Sequence, residues 1–190
     1  MVNRLHQFVL NYSGPKLTIV ASGGGSHLSL LTSIPGGSAI VNGIYHPYSV
    51  EATEQFIEGT VVPLPLEKSN EYYKSVQSGM AAMLAKSAYL KTKDGIGIGV
   101  TAGLTTNRYR RGLNEAYIGI YDPLLGHRIW HAVFDKISED QYKRLGKTAI
   151  AIVSLSKRQE EDKRLTEIVL DLIQQGTSCH EPCRLVYQSS

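Results

Sequence analysis

The alternation of strand-like and helix-like segments along this 190-residue chain predicts an α/β fold, a three-layer domain with a mixed sheet flanked by helices. Short apolar runs such as 17–21 have the length of buried strands, whereas the apolar residues of 156–175 recur at helical spacing. No repeat, low-complexity stretch or internal linker divides the chain. We therefore expect one domain over residues 1–175, followed by a C-terminal tail over 176–190.

Glycine and proline breaks divide the first part of the chain into short elements. The predicted elements are a helix over 1–11, a strand over 17–21, a helix over 26–33, a strand over 39–45 and a short helix over 50–58. Pro35 and the two glycines after it end the second helix. Ser49 is a suitable N-cap for the short helix, which Gly59 closes.

The rest of the chain continues this alternation. We predict an extended segment at 61–66, a helix over 70–90, strands at 95–101, 116–121, 128–134 and 148–154, and a closing helix over 156–175. The strands at 116–121 and 128–134 flank a turn and form an antiparallel pair. Glycines at alternate positions of 95–101 let another backbone or a ligand lie close against that strand.

Composition excludes several classes of function. A net charge of +3, from 20 basic and 17 acidic residues that are well dispersed, does not indicate nucleic-acid binding. No apolar run is long enough to span a membrane, and residues 1–11 lack the continuous apolar core of a signal peptide. The two cysteines, Cys179 and Cys183, lie in the last dozen residues, which indicates a reducing, cytoplasmic setting.

The most informative segment is the junction at 22–26, where an apolar strand breaks into three glycines before a helix begins. Unpaired amides at a helix start attract an anion, and glycines let a ligand approach the backbone closely. Residues 1–50 contain no carboxylate that would repel a phosphate. The segment matches neither the P-loop nor the dinucleotide fingerprint, and glycine-rich turns also serve close packing alone.

The carboxyl ends of strands in an α/β sheet form the crevice in which ligands bind. We therefore expect the residues after strand 17–21 and those at the end of strand 95–101 to form one pocket. Its predicted members are Ser22, Gly23, Gly24, Gly25, Ser26, Tyr48, Thr101 and Gly103. From an arginine-rich loop that is otherwise an ordinary solvated loop, Arg108 or Arg111 would reach a phosphate at the rim.

Other candidate patterns leave alternatives open. The histidines share no spacing with carboxylates, so we expect no metal site, and His27 is either a ligand contact or an ordinary half-buried histidine. Cys179 and Cys183 with one histidine make an incomplete zinc site, and a frayed tail is the simpler interpretation. The charged run at 158–162 is typical of an exposed helix start or of a functional contact.

The order of several motifs resembles the C-terminal domain of CinA, the nicotinamide-nucleotide amidase family. That family carries Ala-Glu-Ser-Cys-Thr-Gly-Gly after a strand, then Pro-Gly-Ser-Ser-Ala, Tyr-Ser and Thr-Gly-Ile-Ala-Gly. The counterparts here are residues 20–25, 32–39, 47–49 and 100–103. The likeness is closer to the divergent CinA-like domain that precedes nucleotidyltransferase-like domains in plants and some other eukaryotes, because 108–112 and 158–162 match its arginine-rich loop and its arginine followed by acids.

The resemblance implies hydrolysis of the carboxamide of nicotinamide mononucleotide by a serine that a lysine and a tyrosine assist, without a cofactor. Tyr48 matches the family tyrosine, but Thr53 stands at the lysine position. Aligned without gaps, Ala21 stands at the serine position, and a one-residue deletion in the glycine run brings Ser22 there. A hydroxyl nucleophile without its base loses several orders of magnitude in rate.

We therefore expect a CinA-like domain that binds a nucleotide or another phosphorylated small molecule, with amidase activity lost or reduced. Ser22 and Tyr48 are its catalytic candidates. One alternative is an active amidohydrolase in which Ser22 is the nucleophile and another group replaces the lysine. The other is a structural oligomerisation module. We also expect a homo-oligomer, no cofactor, and neither a nucleic-acid nor a membrane partner.

Overall fold

A computed structural model describes residues 1–58 and 76–175, together with the backbone of 184–186. Its helices are α1 (Val2–Asn11), α2 (Gly37–Ile40), α3 (Val50–Glu58), α4 (Ser78–Thr92), α5 (Glu139–Arg144) and α6 (Lys147–Gln174), and a 3₁₀ segment covers Ser26–Ser33. Its strands are β1 (Leu17–Ser22), β2 (Val41–Tyr45), β3 (Ile96–Gly103), β4 (Asn114–Asp122), β5 (Gly126–Phe134) and β6 (Arg184–Val186). Within these residues, no helix has the length and apolarity needed to cross a membrane.

The six strands of the described residues form one mixed sheet in the order β2-β1-β3-β4-β5-β6. β1 runs parallel to β2 and β3, whereas β4 is antiparallel to both β3 and β5. β6, which falls in the predicted C-terminal tail, runs parallel to β5. The predicted α/β class, the mixed sheet and the antiparallel pair are confirmed.

Helices cover both faces of this sheet. On one face, α1, the 3₁₀ segment and α6 bury apolar side chains such as Phe8 and Leu165. On the other face, α3 and α4 bury a smaller set that includes Leu84. Successive residues of β1 point to opposite faces, so Ile19 joins the first core and Val20 the second. The arrangement leaves the carboxyl ends of β1 and β3 open at one edge of the layers.

The glycines of β3 make room for the backbone of α4. A Cβ atom added to Gly97 would lie 1.9 Å from the carbonyl oxygen of Ala85, and one added to Gly99 would lie 2.3 Å from that of Ala81. From the sequence, either another backbone or a ligand could lie against this strand. At Gly97 and Gly99 the neighbour is a helix backbone, which leaves no room for a ligand along this part of the strand.

The largest correction concerns residues 148–154, which we predicted as a strand and which form the first two turns of α6. Their alternating β-branched residues favour a strand locally. In the fold, Ile150 and Ser154 are buried four residues apart, whereas Ile152 and Val153 between them are exposed. That spacing is one face of a helix, because helical neighbours recur every three to four residues.

The extension of α6 moves the charged run 158–162 from a helix start to the middle of a helix. Two of its members, Glu161 and Asp162, are buried. The prediction of an exposed helix start is therefore wrong.

Smaller differences affect the remaining elements. The helix predicted at 26–33 keeps its bounds but is a 3₁₀ helix, and β2 begins at Val41 because a short helical turn precedes it. The Ser49 N-cap is confirmed by a 3.1 Å hydrogen bond that the Ala52 amide donates to the Ser49 hydroxyl. The extended segment 61–66, the first residues of the helix predicted at 70–90, and both cysteines lie outside the described residues.

Candidate functional site

The carboxyl ends of β1 and β3 lie side by side, since Ser22 is the register partner of Thr101. A cavity of about 280 Å³ opens beyond them. Its wall is made by the two strand ends, by the start of α3 and by two arginines. The lining includes Ser22, Gly23, Tyr48, Ser49, Thr53, Glu54, Met80, Ala102, Gly103, Thr106, Arg110 and Arg158. We call it the inner cavity.

A second and larger cavity of about 780 Å³ adjoins the first. The two share three wall residues, Gly23, Tyr48 and Arg158. The rest of the second lining comes from the end of β1 and the glycine turn, from α6 and from the residue after β2, and includes Gly24, Ser26, His27, His46, Leu155, Gln159, Glu160, Asp162 and Lys163. We call it the outer cavity. Because Arg158 faces both, its guanidinium marks the boundary between them.

The eight residues predicted to bound one pocket divide between these cavities. The inner cavity is lined by Ser22, Gly23, Tyr48 and Gly103. The outer cavity is lined by Gly23, Gly24, Ser26 and Tyr48. Gly25 and Thr101 are buried and line neither of these two cavities. Ser22 and Gly103 therefore face one space, and Tyr48, which is 83% exposed, stands at the mouth of both.

The glycine turn already holds an anion, and that anion belongs to the chain itself. The amides of Gly25 and Ser26 donate hydrogen bonds of 2.6 and 3.2 Å to Oδ1 of Asp162. The Ser26 hydroxyl donates to Oδ2 of the same carboxylate at 2.6 Å. Our expectation of unpaired amides at this helix start is wrong for these two residues, because α6 supplies the negative group. The amides of Gly25 and Ser26 are therefore not available as donors to a ligand anion.

Asp162 also fixes a histidine. Nδ1 of His27 lies 2.8 Å from Oδ2 of Asp162, which leaves the other edge of the ring free of this contact. Burial alone would raise the pKa of the Asp162 carboxyl, but hydrogen bonds from Ser26, His27 and Gly25 outweigh it and hold the pKa below its ordinary value. Asp162 is thus an ionised, positioned carboxylate at the wall of the outer cavity.

The neighbouring carboxylate, Glu161, fixes the other strand end. It accepts hydrogen bonds of 2.7 Å from both the amide and the hydroxyl of Thr105, just beyond β3. The side-chain amide of Asn114 donates to it at 2.9 Å and to the Thr105 hydroxyl at 2.8 Å. Glu161 is 2% exposed, so these donors replace water as its partners. The loop after β3 is therefore fixed to α6.

Arg158 joins the two strand ends. Its guanidinium donates hydrogen bonds of 3.0 Å to the carbonyl oxygen of Gly23 and of 3.1 Å to that of Thr105. Together, Arg158, Glu161 and Asp162 occupy one face of α6 and hold the loops after β1 and β3. We call these three residues the α6 brace.

The arginine-rich loop contributes a different residue from the ones predicted. Arg108 and Arg111 are exposed and line neither cavity, whereas the half-buried Arg110 lines the inner one. Its guanidinium donates to the carbonyl oxygens of Gly103 and Leu104 at 2.8 and 3.0 Å. The prediction placed the arginine on the correct loop but at the wrong positions, because sequence alone does not show which way a loop side chain turns.

The position at which the resemblance places a lysine is occupied by Thr53. Thr53 is 7% exposed and lines the inner cavity, but its hydroxyl donates to the Ser49 carbonyl oxygen at 2.8 Å. No lysine or histidine of the described residues lines the inner cavity, and the titratable carboxylate there is Glu54. Ala21 is buried at 2% exposure, so the hydroxyl available at this strand end is that of Ser22.

Sequence reasoning overlooked Arg110 and the roles of Glu161 and Asp162. A signal for the two acids exists in the sequence. Residues 161 and 162 precede the apolar positions 165, 168, 169 and 172 at helical spacing, so they continue the buried stripe of α6. Carboxylates on a buried stripe require partners, which indicates a structural or functional contact.

Comparisons with known proteins show the fold. No family model matches the sequence, and no curated protein matches it. Among solved structures, the chain is similar to the competence/damage inducible protein CihA from Agrobacterium tumefaciens, with a TM-score of 0.54, 18% identity, and coverage of 90% of this chain and 94% of that chain. It is also similar to a CinA superfamily protein from Escherichia coli, with a TM-score of 0.52, 15% identity, and coverage of 83% and 90%.

A third similar structure is the competence damage-inducible protein A from Klebsiella pneumoniae, with a TM-score of 0.55, 13% identity, and coverage of 85% and 96%. These alignments span most of both chains. The chain has the fold of the CinA superfamily structures, as the motif order predicted.

Proposed function

We propose that this chain is a CinA-like domain that binds a nucleotide or another phosphorylated small molecule in the inner cavity, with nicotinamide-nucleotide amidase activity lost or strongly reduced. The observation that carries the proposal is the pair of half-buried guanidiniums, Arg110 and Arg158, that line one cavity at the carboxyl ends of β1 and β3.

Both arginines are oriented by backbone carbonyls and not by carboxylates. Neither forms an ion pair within 4.0 Å in the described part of the chain. A guanidinium carries five N–H donors, and the carbonyl contacts leave some of them for a ligand. Partly desolvated cations at a concave surface attract anions strongly, and arginine matches the geometry of phosphate. The amides of Gly25 and Ser26 are already bound to Asp162, so we assign the binding of a ligand anion to these two arginines.

The reduced activity follows from the surroundings of Ser22. Ser22 lines the inner cavity, but none of the described residues places a lysine or histidine there to accept its hydroxyl proton. The two arginines stay protonated and cannot serve as bases. Thr53 replaces the lysine that the resemblance leads one to expect, and its own hydroxyl is bonded to the helix backbone.

Calorimetric titration and ammonia release with nicotinamide mononucleotide test both parts. We expect measurable binding and little or no ammonia. Arg110→Gln and Arg158→Gln retain an N–H donor for the carbonyls but lose the charge, so each should weaken binding about tenfold or more. Arg108→Gln and Arg111→Gln, on the same loop but outside the cavities, are the matched controls. Equal affinity in all four variants would contradict the proposed site, and rapid ammonia release would contradict the loss of activity.

The second candidate is an active amidohydrolase, and the observation that favours it is Glu54. This carboxylate lines the inner cavity together with Ser22 and Tyr48. A carboxylate can accept a proton, so Glu54 is the group that would act as the base for the Ser22 hydroxyl. Ser22→Ala would abolish ammonia release in that case, and Glu54→Gln would reduce it. If no nucleotide raises the melting temperature, the alternative of a structural oligomerisation module gains support instead.

A further inference from the structure

The inner cavity is small for a complete nucleotide site. Its volume of about 280 Å³ lies just below the range of roughly 300–1,000 Å³ that is usual for small-molecule sites. The outer cavity of about 780 Å³ shares Gly23, Tyr48 and Arg158 with it. A ligand whose anionic group lies at Arg158 therefore has unfilled space on its far side.

The outer cavity is lined by exposed apolar side chains against which a second nucleobase could stack. Tyr48 and Leu155 are large side chains that are 83% and 58% exposed, and both face this cavity. An aromatic ring and an aliphatic side chain are suitable partners for a planar base, since stacking tolerates any base identity. The imidazole of His27, held by Asp162, supplies a fixed polar group beside them.

The cationic side chains lie where the phosphates that link two nucleosides would pass between the cavities. Arg158 stands at the boundary of the two cavities, and Lys163 lines the outer one. Of the two acids on the outer wall, Asp162 is engaged by the glycine turn, and Glu160 lies 3.7 Å from Lys157. The cation at the boundary is therefore available to a diphosphate that passes from one cavity to the other.

On this basis we propose that the ligand is a dinucleotide, with one nucleoside in the inner cavity, its bridging phosphates at Arg158, and the second nucleoside against Tyr48 and Leu155 in the outer cavity. The inference rests on the proposed function, because it assumes that the inner cavity binds a nucleotide. It adds the class of ligand and assigns a use to the outer cavity.

Calorimetric titration with four probes tests the inference: nicotinamide mononucleotide, adenosine monophosphate, nicotinamide adenine dinucleotide and diadenosine diphosphate. We expect at least one dinucleotide to bind about tenfold more tightly than either mononucleotide, since each stacked base adds affinity. Leu155→Gln should remove most of that gain and leave mononucleotide affinity unchanged. The matched control is Ile152→Gln, one turn away on the same helix, which is 65% exposed and lines neither cavity.

The outcomes separate the two proposals. If mononucleotides bind and the dinucleotides bind no more tightly, the dinucleotide inference is overturned and the proposed function stands. A dinucleotide gain that survives Leu155→Gln, and also survives His46→Ala as a second variant of the outer wall, overturns the placement of the second ring. If none of the four probes binds, the dinucleotide inference fails together with the nucleotide-binding part of the proposed function.

Discussion

Asp162 occupies the anion site that the glycine turn would otherwise offer to a ligand. A glycine turn before a helix is a general anion site, and here the anion comes from a helix 137 positions further along the chain. The carboxylate satisfies two backbone amides, one hydroxyl and one imidazole at once. The turn is thereby organised by the chain itself, and our proposal assigns the binding of a ligand phosphate to Arg110 and Arg158.

Removing that carboxylate should destabilise the fold. Asp162→Ala leaves the buried amide of Gly25 without an acceptor, at a cost of about 1–3 kcal/mol, and also removes the acceptor of the part-buried Ser26 amide. We expect the free energy of unfolding to fall by about 2–4 kcal/mol in urea titrations. Glu160→Ala, an exposed acid on the same helix, should change it by less than about 0.5 kcal/mol. Equal losses in the two variants would contradict the internal-anion role.

The same contact predicts a pH dependence. Because the folded-state pKa of Asp162 lies below its ordinary value of 3.8, the ionised carboxylate stabilises the fold above about pH 4. That contribution is lost as the pH falls through the folded-state pKa. Urea midpoints measured from about pH 7 down to about pH 3 should fall more steeply for the parent chain than for Asp162→Asn. Parallel curves would mean that this carboxyl does not titrate with folding.

At the scale of elements, the contact between β3 and α4 is set by glycine. The two backbones approach so closely at Gly97 and Gly99 that a methyl group would overlap a carbonyl oxygen. The adjacent β4 glycine, Gly119, lies under the same helix, where a Cβ would come within 2.6 Å of the Ala81 carbonyl oxygen. This close layer keeps the end of β3 fixed relative to the inner cavity.

Gly97→Ala should therefore force α4 away from the sheet. With its Cβ 1.9 Å from backbone, no side-chain adjustment relieves the overlap, and we expect a loss of about 3 kcal/mol or more in the free energy of unfolding. Gly112→Ala is the control, because a Cβ there meets nothing within 4 Å, and its effect should stay within about 1 kcal/mol. Thermal unfolding of the two variants distinguishes them, and similar melting temperatures would refute the close contact.

At the scale of the whole molecule, the N-terminal helix α1 shares one hydrophobic core with α6. Phe8 is fully buried in the larger core and stacks on Tyr12 with ring centroids 5.2 Å apart. Arg4 pairs with Asp171 near the end of α6. The two ends of the domain thus stabilise each other, and α6 is held from one side by α1 and from the other by the loops that it braces.

Phe8→Ala should loosen the whole domain, not only its first helix. Truncating a buried phenylalanine costs about 3–5 kcal/mol, and we expect that loss in urea unfolding followed by far-ultraviolet circular dichroism. The unfolding transition should also remain single, because α1 shares its core with α6 and the sheet. Gln7→Ala, an exposed neighbour, should have little effect. A separate early transition confined to α1 would show that the helix is not part of the cooperative core.

Much of the layered fold follows from local patterns. The apolar run of β1, the glycine alternation of β3, the N-cap at Ser49 and the turn between β4 and β5 each describe a few neighbouring residues. Hydrophobic periodicity and turn chemistry depend on that same short range, so these elements could be predicted. The pattern failed at 148–154, where β-branched residues favour a strand but burial of Ile150 and Ser154 selects a helix.

The sequence by itself determined the α/β class and placed the ends of two strands at 21 and 101, within two residues of the observed ends at Ser22 and Gly103. Only the tertiary structure decided that Asp162 occupies the glycine turn and that Arg110, not its neighbours, enters the cavity. The reason is that both facts depend on how α6 and a loop pack across the sheet. The Asp162 contact joins groups 137 positions apart, and the direction of the Arg110 side chain depends on how its loop packs, and no local spacing encodes either one.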